Sequence, residues 1–318
     1  MASQSGDTPY SFVHRPDFHV LPDVTLPCEV NLHGTFATDR REGFGQLYYG
    51  MPGCGILRID PDLSTQDLIT IPDKLKPMNF HSTKLAEFDG QWRLFLPANN
   101  DELVVILTLD GEIDFTLSRP EFEEYQHEKA RFSPTDTLLM GEELLVTDGY
   151  GSNYINKADM QSKRWSGLFG GFTKDWHEHG KFATAHGISR HHHHHHHVMI
   201  SDRPMSRIEE YNPDGTFIDT HALPRGAWPC GLDVIHHDGR HLGVVGSLID
   251  PEEGTPAPIY IIDADTFEVL STVRPKEDLG LDPVQHLHNV VWHQSGDNLY
   301  LVCQAWNPGL YFVLERVA

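Results

Sequence analysis

The chain has 318 residues and a formal charge of −22 at pH 7, from 24 Lys and Arg against 46 Asp and Glu. A chain this acidic repels phosphate backbones and anionic membranes, so we expect neither a nucleic-acid partner nor a membrane role. No apolar stretch approaches the roughly 18 residues that a membrane span requires, and residues 1–9 lack the apolar core of a secretory signal. The four cysteines include no Cys-x-x-Cys pair. A cytoplasmic protein with reduced thiols is therefore predicted.

The chain reads as a series of short strands joined by tight turns. It contains 27 Gly and 21 Pro, with Asp-Gly turn signals at 89, 110, 214 and 238. Residues 1–16 are expected to be a polar lead-in, and residues 17–21 to be a strand without a partner in their own repeat. Strands are then predicted at 34–38, 46–50, 55–60 and 67–71, at 82–88, 92–96, 103–109 and 112–117, and at 135–140, 143–148, 154–159 and 164–169.

These strands repeat with a period near fifty residues. The repeats start at positions 33, 81, 135, 186, 231 and 288, so their spacings are 48, 54, 51, 45 and 57 residues. Four strands per unit at this period predict an all-β protein with the fold of a six-bladed β-propeller, formed by a single domain over residues 17–318. The sixth unit has only three strands, at 289–293, 298–302 and 309–314. We expect the strand at 17–21 to complete it and close the ring.

A histidine recurs where three of the repeats begin. His81, His186 and His288 are separated by 105 and 102 residues and belong to blades two, four and six. Alternate blades of a six-fold ring lie about 120° apart, so the three side chains should meet at one mouth of the channel. Three imidazoles with a fourth position open are the ligand set of a catalytic zinc site. His33 has the same register in blade one and is either a fourth ligand, which would favour iron, or a neighbour.

Parts of the repeats resemble a known family. Residues 146–150 (VTDGY), and residues 185–188 (AHGI) with 200–208 (ISDRPMSRI), resemble NHL repeats. The whole arrangement resembles peptidyl-α-hydroxyglycine α-amidating lyase, a six-bladed propeller that cleaves a carbinolamide with zinc held by three histidines from alternate blades. The resemblance implies that His81, His186 and His288 are the metal ligands and that Tyr150 is a base beside the metal.

Further site residues are expected around this centre. His286 stands where that family has a methionine, two residues before its last ligand, and Tyr49 lies in the segment where the family has an arginine. Asp148 ends a second strand. We expect His286 and Asp148 to act with Tyr150 in catalysis. The residues expected to contact substrate are His177 and His179 in the 175–182 loop, Arg203, and Tyr49.

The sequence favours a metal-dependent lyase or hydrolase acting on a small polar substrate, with zinc as the expected divalent metal. Two alternatives remain: an oxygen-using enzyme with iron on four histidines including His33, and a non-enzymatic NHL-type binding scaffold. Seven consecutive histidines at 191–197, a natural tract or an inserted tag, are predicted to form the first hairpin turn of blade four. A tract there can bind metals loosely, outside the active site.

Overall fold

Six antiparallel β-sheets form the six blades of a propeller in the computed structural model, which describes residues 3–317. The predicted fold is confirmed. Helical structure in this part of the chain is limited to one α-helix, α1 (Pro275–Leu279), and three short 3-10 segments. No helix among the described residues is both long and apolar enough to span a membrane.

The strands follow one another in sequence order within each blade. Two short strands precede the first blade: β1 (Gln4–Ser5) and β2 (Phe12–His14). Blades one to three contain β3 (Ala37–Thr38), β4 (Leu47–Met51), β5 (Gly55–Ile59) and β6 (Gln66–Ile69); β7 (Lys84–Phe88), β8 (Gln91–Ala98), β9 (Leu103–Thr108) and β10 (Ile113–Ser118); and β11 (Asp136–Met140), β12 (Glu143–Thr147), β13 (Tyr154–Asp159) and β14 (Arg164–Gly170).

Blades four to six continue the pattern. They contain β15 (Ala185–Arg190), β16 (Val198–Asp202), β17 (Arg207–Tyr211) and β18 (Phe217–Ala222); β19 (Asp233–His237), β20 (Arg240–Gly246), β21 (Ile259–Asp263) and β22 (Val269–Val273); and β23 (His286–Ser295), β24 (Asn298–Trp306) and β25 (Leu310–Arg316). The first strand of each blade is its innermost strand. The histidine tract connects β15 to β16, as predicted.

An N-terminal segment closes the ring, but it is not the predicted one. β2 pairs antiparallel with β25, with Phe12 opposite Arg316, and β1 extends the same sheet. Residues 17–21 form no strand, because Pro16 begins a 3-10 segment that ends at Phe18 and a proline cannot donate a ladder hydrogen bond. The predicted lead-in therefore contributes the closing strand, which is fastened by fully buried Phe12.

The core is divided among the junctions between blades. In the described part of the chain, buried apolar side chains form six clusters, each shared by two neighbouring blades. Trp292 is the largest fully buried side chain and packs at the junction of blades five and six. Each buried large apolar side chain contributes about 1.5–3 kcal/mol by leaving water. Because every blade is held on both sides, the channel residues are carried on a rigid frame.

Buried His293 in β23 should make the stability of the protein sensitive to acid. Its Nε2 donates a hydrogen bond to the Pro61 carbonyl over 2.7 Å, and burial, helped by nearby Arg40, lowers its pKa to about 4. The neutral ring stabilises the fold above the unfolded-state pKa of about 6.5, and this contribution is lost as pH falls toward 4. The unfolding free energy of the unchanged protein should fall between pH 7.5 and pH 4.5. We expect the fall for His293→Gln over the same range, measured by urea denaturation, to be smaller by roughly 2–3 kcal/mol. An unchanged pH dependence would contradict this assignment.

Candidate metal centre

Three histidines reach the channel from irregular positions at the start of innermost strands. The β15–β16 register shifts between Ala185 and Ile188, and the β23–β24 register shifts between Leu287 and Asn289, so His186 and His288 lie in β-bulges. His81 precedes β7, and its backbone N–H donates to the Pro97 carbonyl. A bulge turns a side chain away from the regular alternation of a strand. This explains how residues within paired strands can point to the channel axis.

The three imidazoles form a nearly equilateral triangle. The ring centroid of His81 lies 4.7 Å from that of His186 and 4.7 Å from that of His288, and the remaining distance is 5.0 Å. All three side chains are at most 1% exposed. The approach of neighbouring blades depends on Gly187, since a Cβ there would lie 2.5 Å from the Cys230 carbonyl oxygen. The register of the repeat thus brings three separate segments to one point.

Hydrogen bonds to neighbouring blades leave Nε2 available on two of the rings. His81 Nδ1 donates to the Thr135 carbonyl over 2.7 Å, and His186 Nδ1 donates to the Cys230 carbonyl over 2.6 Å. Such bonds hold the tautomer in which Nε2 carries the lone pair, as in metal-binding histidines. Within residues 3–317, buried His81 Nε2 and both ring nitrogens of His288 have no hydrogen-bond partner. Unpartnered buried nitrogens that converge in this way fit a metal ion.

The electrostatic environment keeps these rings neutral. Burial, joined by the charge of Arg203 and by neighbouring imidazoles, lowers the pKa values of His81, His186 and His288 well below the usual value of 6.5. A metal binds the neutral form of imidazole, so no proton has to be removed at neutral pH. The cluster could therefore hold a metal ion.

His33 lies beside the triangle, and it is the ligand atom of His33, not that of His186, that groups with those of His81 and His288. Its ring centroid lies 4.6 Å from that of His81 and 4.5 Å from that of His288, and ligand atoms of these three residues lie within 4.8 Å of one another. The Asn79 amide donates to His33 Nδ1 over 2.7 Å and to Asn99 Oδ1 over 2.8 Å. Because the second bond fixes the orientation of the Asn79 amide, Nδ1 of His33 is an acceptor. The proton of the neutral ring is then on Nε2.

Tyr150 and Arg203 complete the mouth of the site. The Tyr150 hydroxyl lies 3.3 Å from His186 Nε2 and accepts a hydrogen bond of 2.6 Å from Arg203 Nη1. Arg203 is 2% exposed and also donates to Cys230 Sγ over 3.1 Å. Burial raises the pKa of Tyr150, while Arg203 acts in the opposite direction. Tyr150 as a whole residue is 38% exposed, so part of its side chain faces the solvent while its hydroxyl lies against His186.

Asp148 and His286 lie near the site without entering the triangle. The fully buried Asp148 carboxylate accepts hydrogen bonds from the Ser133 and Ser152 backbone N–H groups and from the Tyr125 hydroxyl. Burial raises its pKa to about 7. Its hydrogen bonds hold the turn that presents Tyr150, and its catalytic role stays a prediction. His286 Nδ1 donates to the carbonyl of Leu248, on the blade-five side.

Three residues expected to contact substrate lie elsewhere. Tyr49 is fully buried at the junction of blades six and one, with its ring 5.1 Å from that of Phe36, because its position in β4 points into the core. His179 stacks on Phe217 at 5.2 Å on the outer strand of blade four. His177 is exposed beside Trp176. In the part of the chain that the structure describes, none of these three side chains contacts the channel cluster, and their role in substrate binding stays a prediction.

The sequence interpretation missed three residues of the site: Asn79, Cys230 and Trp306. Trp306 stacks on His33 with ring centroids 5.3 Å apart. The signal for Cys230 was available, because Cys230-Gly231-Leu232 matches His186-Gly187-Ile188 when the start of the fifth repeat is moved from 231 to 230. Beyond the histidines, residues of the innermost strands line a channel cavity of about 150 Å³ that includes Thr35, Asp136 and Asn289.

Comparison with known proteins supports the fold alone. The sequence matches no protein-family model and no curated protein. Among solved structures, a luciferin-regenerating enzyme aligns over 93% of this chain and 94% of its own at 14% identity, with a TM-score of 0.59. The Cps50 (Swd1) β-propeller domain of Myceliophteria thermophila aligns over 89% and 82% at 10% identity, with a TM-score of 0.53.

A third structure, hydrazine synthase of Kuenenia stuttgartiensis, aligns over 68% of this chain and 53% of its own at 14% identity. This chain therefore spans about half the length of that protein, and the TM-score of 0.45 is too low to support a comparison. The alignment with the Cps50 (Swd1) domain agrees with a β-propeller fold for this chain. The chain has the β-propeller fold, and what it does must be argued from its site.

Proposed function

We propose that this protein is a metal-dependent lyase or hydrolase that acts on a small polar substrate at the mouth of the propeller channel. The observation that carries the proposal is the triangle of buried neutral imidazoles on His81, His186 and His288. Zinc is the expected metal, because three histidines with an open position are a catalytic zinc set. A divalent ion bound there would polarise a substrate oxygen or lower the pKa of a water molecule.

Tyr150 is the residue we assign to proton transfer. Its hydroxyl lies 3.3 Å from His186 Nε2, and the residue is partly exposed to solvent. The Arg203 guanidinium donates to the phenol oxygen, so it would stabilise the phenolate by a charge-assisted hydrogen bond. Asp148 and Arg203 then act as positioning residues, one for the turn and one for the hydroxyl. This arrangement gives a base within reach of a substrate held at the centre.

Carbinolamides and related hydroxylated adducts are the first substrates to test. Their cleavage needs one base near an oxygen-binding centre, which is what the cluster and Tyr150 offer. With Tyr150 as phenolate, a form that a bound cation and Arg203 would stabilise, the substrate's hydroxyl proton would pass to Tyr150, the carbon–oxygen single bond would become a carbonyl, and the carbon–nitrogen bond would break. The proton returns to the departing nitrogen, so the reaction needs no oxidant and no other reactant. The resemblance to the amidating lyase points to the same substrate class.

The first experiment is elemental analysis of protein in which residues 191–197 are replaced by a short Gly/Asn turn. One equivalent of zinc supports the proposal and directs the substrate screen to carbinolamides. A protein that binds no metal after reconstitution would contradict it and would leave a binding scaffold as the better interpretation.

Replacing Tyr150 by phenylalanine tests the proposed base. We expect kcat/KM to fall by about 10²–10⁴-fold, the usual contribution of a positioned acid or base, with metal content unchanged. Tyr48→Phe is the matched control, because the Tyr48 hydroxyl donates to Gln46 and takes no part in the cluster. Full turnover by the Tyr150 variant would remove this residue from the mechanism.

A four-histidine iron centre is the second candidate, favoured by the closeness of His33 to His81 and His288. As a ligand, His33 would have to give up the Nε2 proton that its bond from Asn79 imposes. The iron proposal predicts that His33→Ala loses metal as completely as His186→Ala, and that the protein consumes oxygen. Retention of metal by His33→Ala rules it out and supports the three-histidine site.

A further inference from the structure

A second group of metal-binding side chains lies between blades four and five, at the opposite end of β15 from His186. We call it the rim cluster; it consists of His192, His193, His241 and Asp265. Each residue offers one ligand atom, and these four atoms all lie within 4.8 Å of one another. Two of the residues come from the histidine tract, one from the start of β20 and one from the turn between β21 and β22. The cluster therefore bridges two blades.

Asp265 is the centre of this arrangement. Its Oδ1 lies 2.7 Å from Nε2 of His192, 2.7 Å from Nε2 of His193 and 3.3 Å from Nδ1 of His241. The three imidazole centroids are 4.2–4.7 Å apart. Three imidazoles around one carboxylate give four donor atoms on one side of the protein surface. The donors are already gathered around one point before any ion is bound.

The remaining tract residues have different surroundings. Buried Glu210 holds the two ends of the tract, since its Oε1 contacts His197 Nδ1 at 2.5 Å and His191 Nε2 at 3.9 Å. The side chains of residues 194–196 are exposed, and in the described structure none of them contacts a carboxylate. Only two of the seven tract histidines thus converge on residues of blade five.

We propose that His192, His193, His241 and Asp265 form a second divalent transition-metal site, which joins blade four to blade five. Imidazole ligands with one carboxylate suit zinc, nickel or copper and disfavour calcium and magnesium. Bonds of about 2.0–2.1 Å would place tetrahedral ligand atoms about 3.4 Å apart. The ligand atoms now lie within 4.8 Å of one another, and the Asp265 contacts of 2.7 Å to His192 and His193 would have to lengthen when an ion binds. The exposed His193 side chain allows such an adjustment. The bound ion stabilises the folded state because it links two blades.

Zinc titration of metal-depleted protein by calorimetry tests the site. The two informative variants, His241→Gln and Asp265→Asn, lie outside the tract and keep every channel histidine, so any zinc in the channel is common to all proteins compared. We expect each to weaken the rim binding step at least 10-fold and to remove the zinc-dependent rise in Tm that belongs to it. The control variant, His194→Gln/His195→Gln/His196→Gln, should bind zinc like the unchanged protein.

Two results would overturn the proposal. If the control loses the binding step while His241→Gln and Asp265→Asn keep it, zinc is chelated by the tract alone. If none of the variants changes the titration, the rim cluster is not a metal site. Both informative positions are partly exposed, and the backbone bond from Asp265 N to Asp263 does not involve the replaced side chain. His241→Gln provides an answer even if Asp265→Asn disturbs its turn.

Discussion

Replacing His288 by alanine is expected to abolish metal binding in the channel. This residue forms one corner of the triangle of imidazoles, and both of its ring nitrogens are buried without a partner among the described residues. Removing a group that only orients a metal ligand lowers the metal affinity by about 10–100-fold. Removing the ligand itself should therefore lower the metal affinity by more than about 100-fold. Elemental analysis and zinc titration of protein without the 191–197 tract measure the effect.

His286→Ala is the matched control, because the same residue type is removed two positions earlier in β23. Its Nδ1 is bonded to the Leu248 carbonyl, so we expect one equivalent of metal to remain. His288→Gln, which conserves a polar side chain, checks that the loss does not come from unfolding. Full metal content in folded His288→Ala would refute the three-histidine centre, and with it the proposed function.

Replacing Arg207 by methionine should cause the largest loss of stability. Arg207 is fully buried, with Nη2 3.2 Å from Asp202 Oδ2 and 3.0 Å from Glu209 Oε1. It also donates to the carbonyls of Trp176, Glu178 and Lys181, and so ties the 175–182 loop to blade four. Removing one partner of a buried ion pair costs about 3–5 kcal/mol, since the other charge stays behind unpaired. Urea denaturation measures the change in unfolding free energy.

Arg58→Met provides the comparison with an exposed pair. Arg58 lies 2.9 Å from Asp67, and both side chains are more than a third exposed. Such pairs contribute about 0–1 kcal/mol, so this variant should remain close to the unchanged protein. Asp202→Asn and Glu209→Gln, added to Arg207→Met, should recover part of the loss by removing the unpaired charges. A loss below about 1 kcal/mol for Arg207→Met would mean that the network is hydrated or rearranged.

The period of the sequence was sufficient to predict the propeller. A repeat of four strands in about fifty residues leaves few other all-β architectures, and most strand boundaries differ from the prediction by only a few residues. The same register explains why the ring centroids of three histidines, each more than one hundred positions from the next, lie within 5.0 Å of one another. Local pattern and repeat symmetry were the only information needed for this, because each blade repeats the geometry of the one before.

The closing strand shows where a local pattern fails. Residues 17–21 alternate like a strand, yet β2 (Phe12–His14) occupies the edge of the last blade. Which segment becomes the edge strand of blade six depends on which one can pair with β25 and bury an aromatic side chain against that blade. Both properties depend on residues far away in the sequence. Tyr49 was likewise expected to contact substrate, but the facing direction of its side chain follows from the pairing of β4 with both neighbours.

What the sequence by itself determined is the architecture and the convergence of His81, His186 and His288, since both follow from periodicity. Only the tertiary structure decided which imidazole nitrogens lack a hydrogen-bond partner among the described residues. It also decided that Arg203 donates a hydrogen bond to Tyr150, and that two histidines of the 191–197 tract contact Asp265. The physical reason is that hydrogen bonds and ligand geometry act over about 3 Å, whereas their partners are tens of residues apart in the chain. Such contacts depend on bulges and side-chain directions that no repeat pattern specifies.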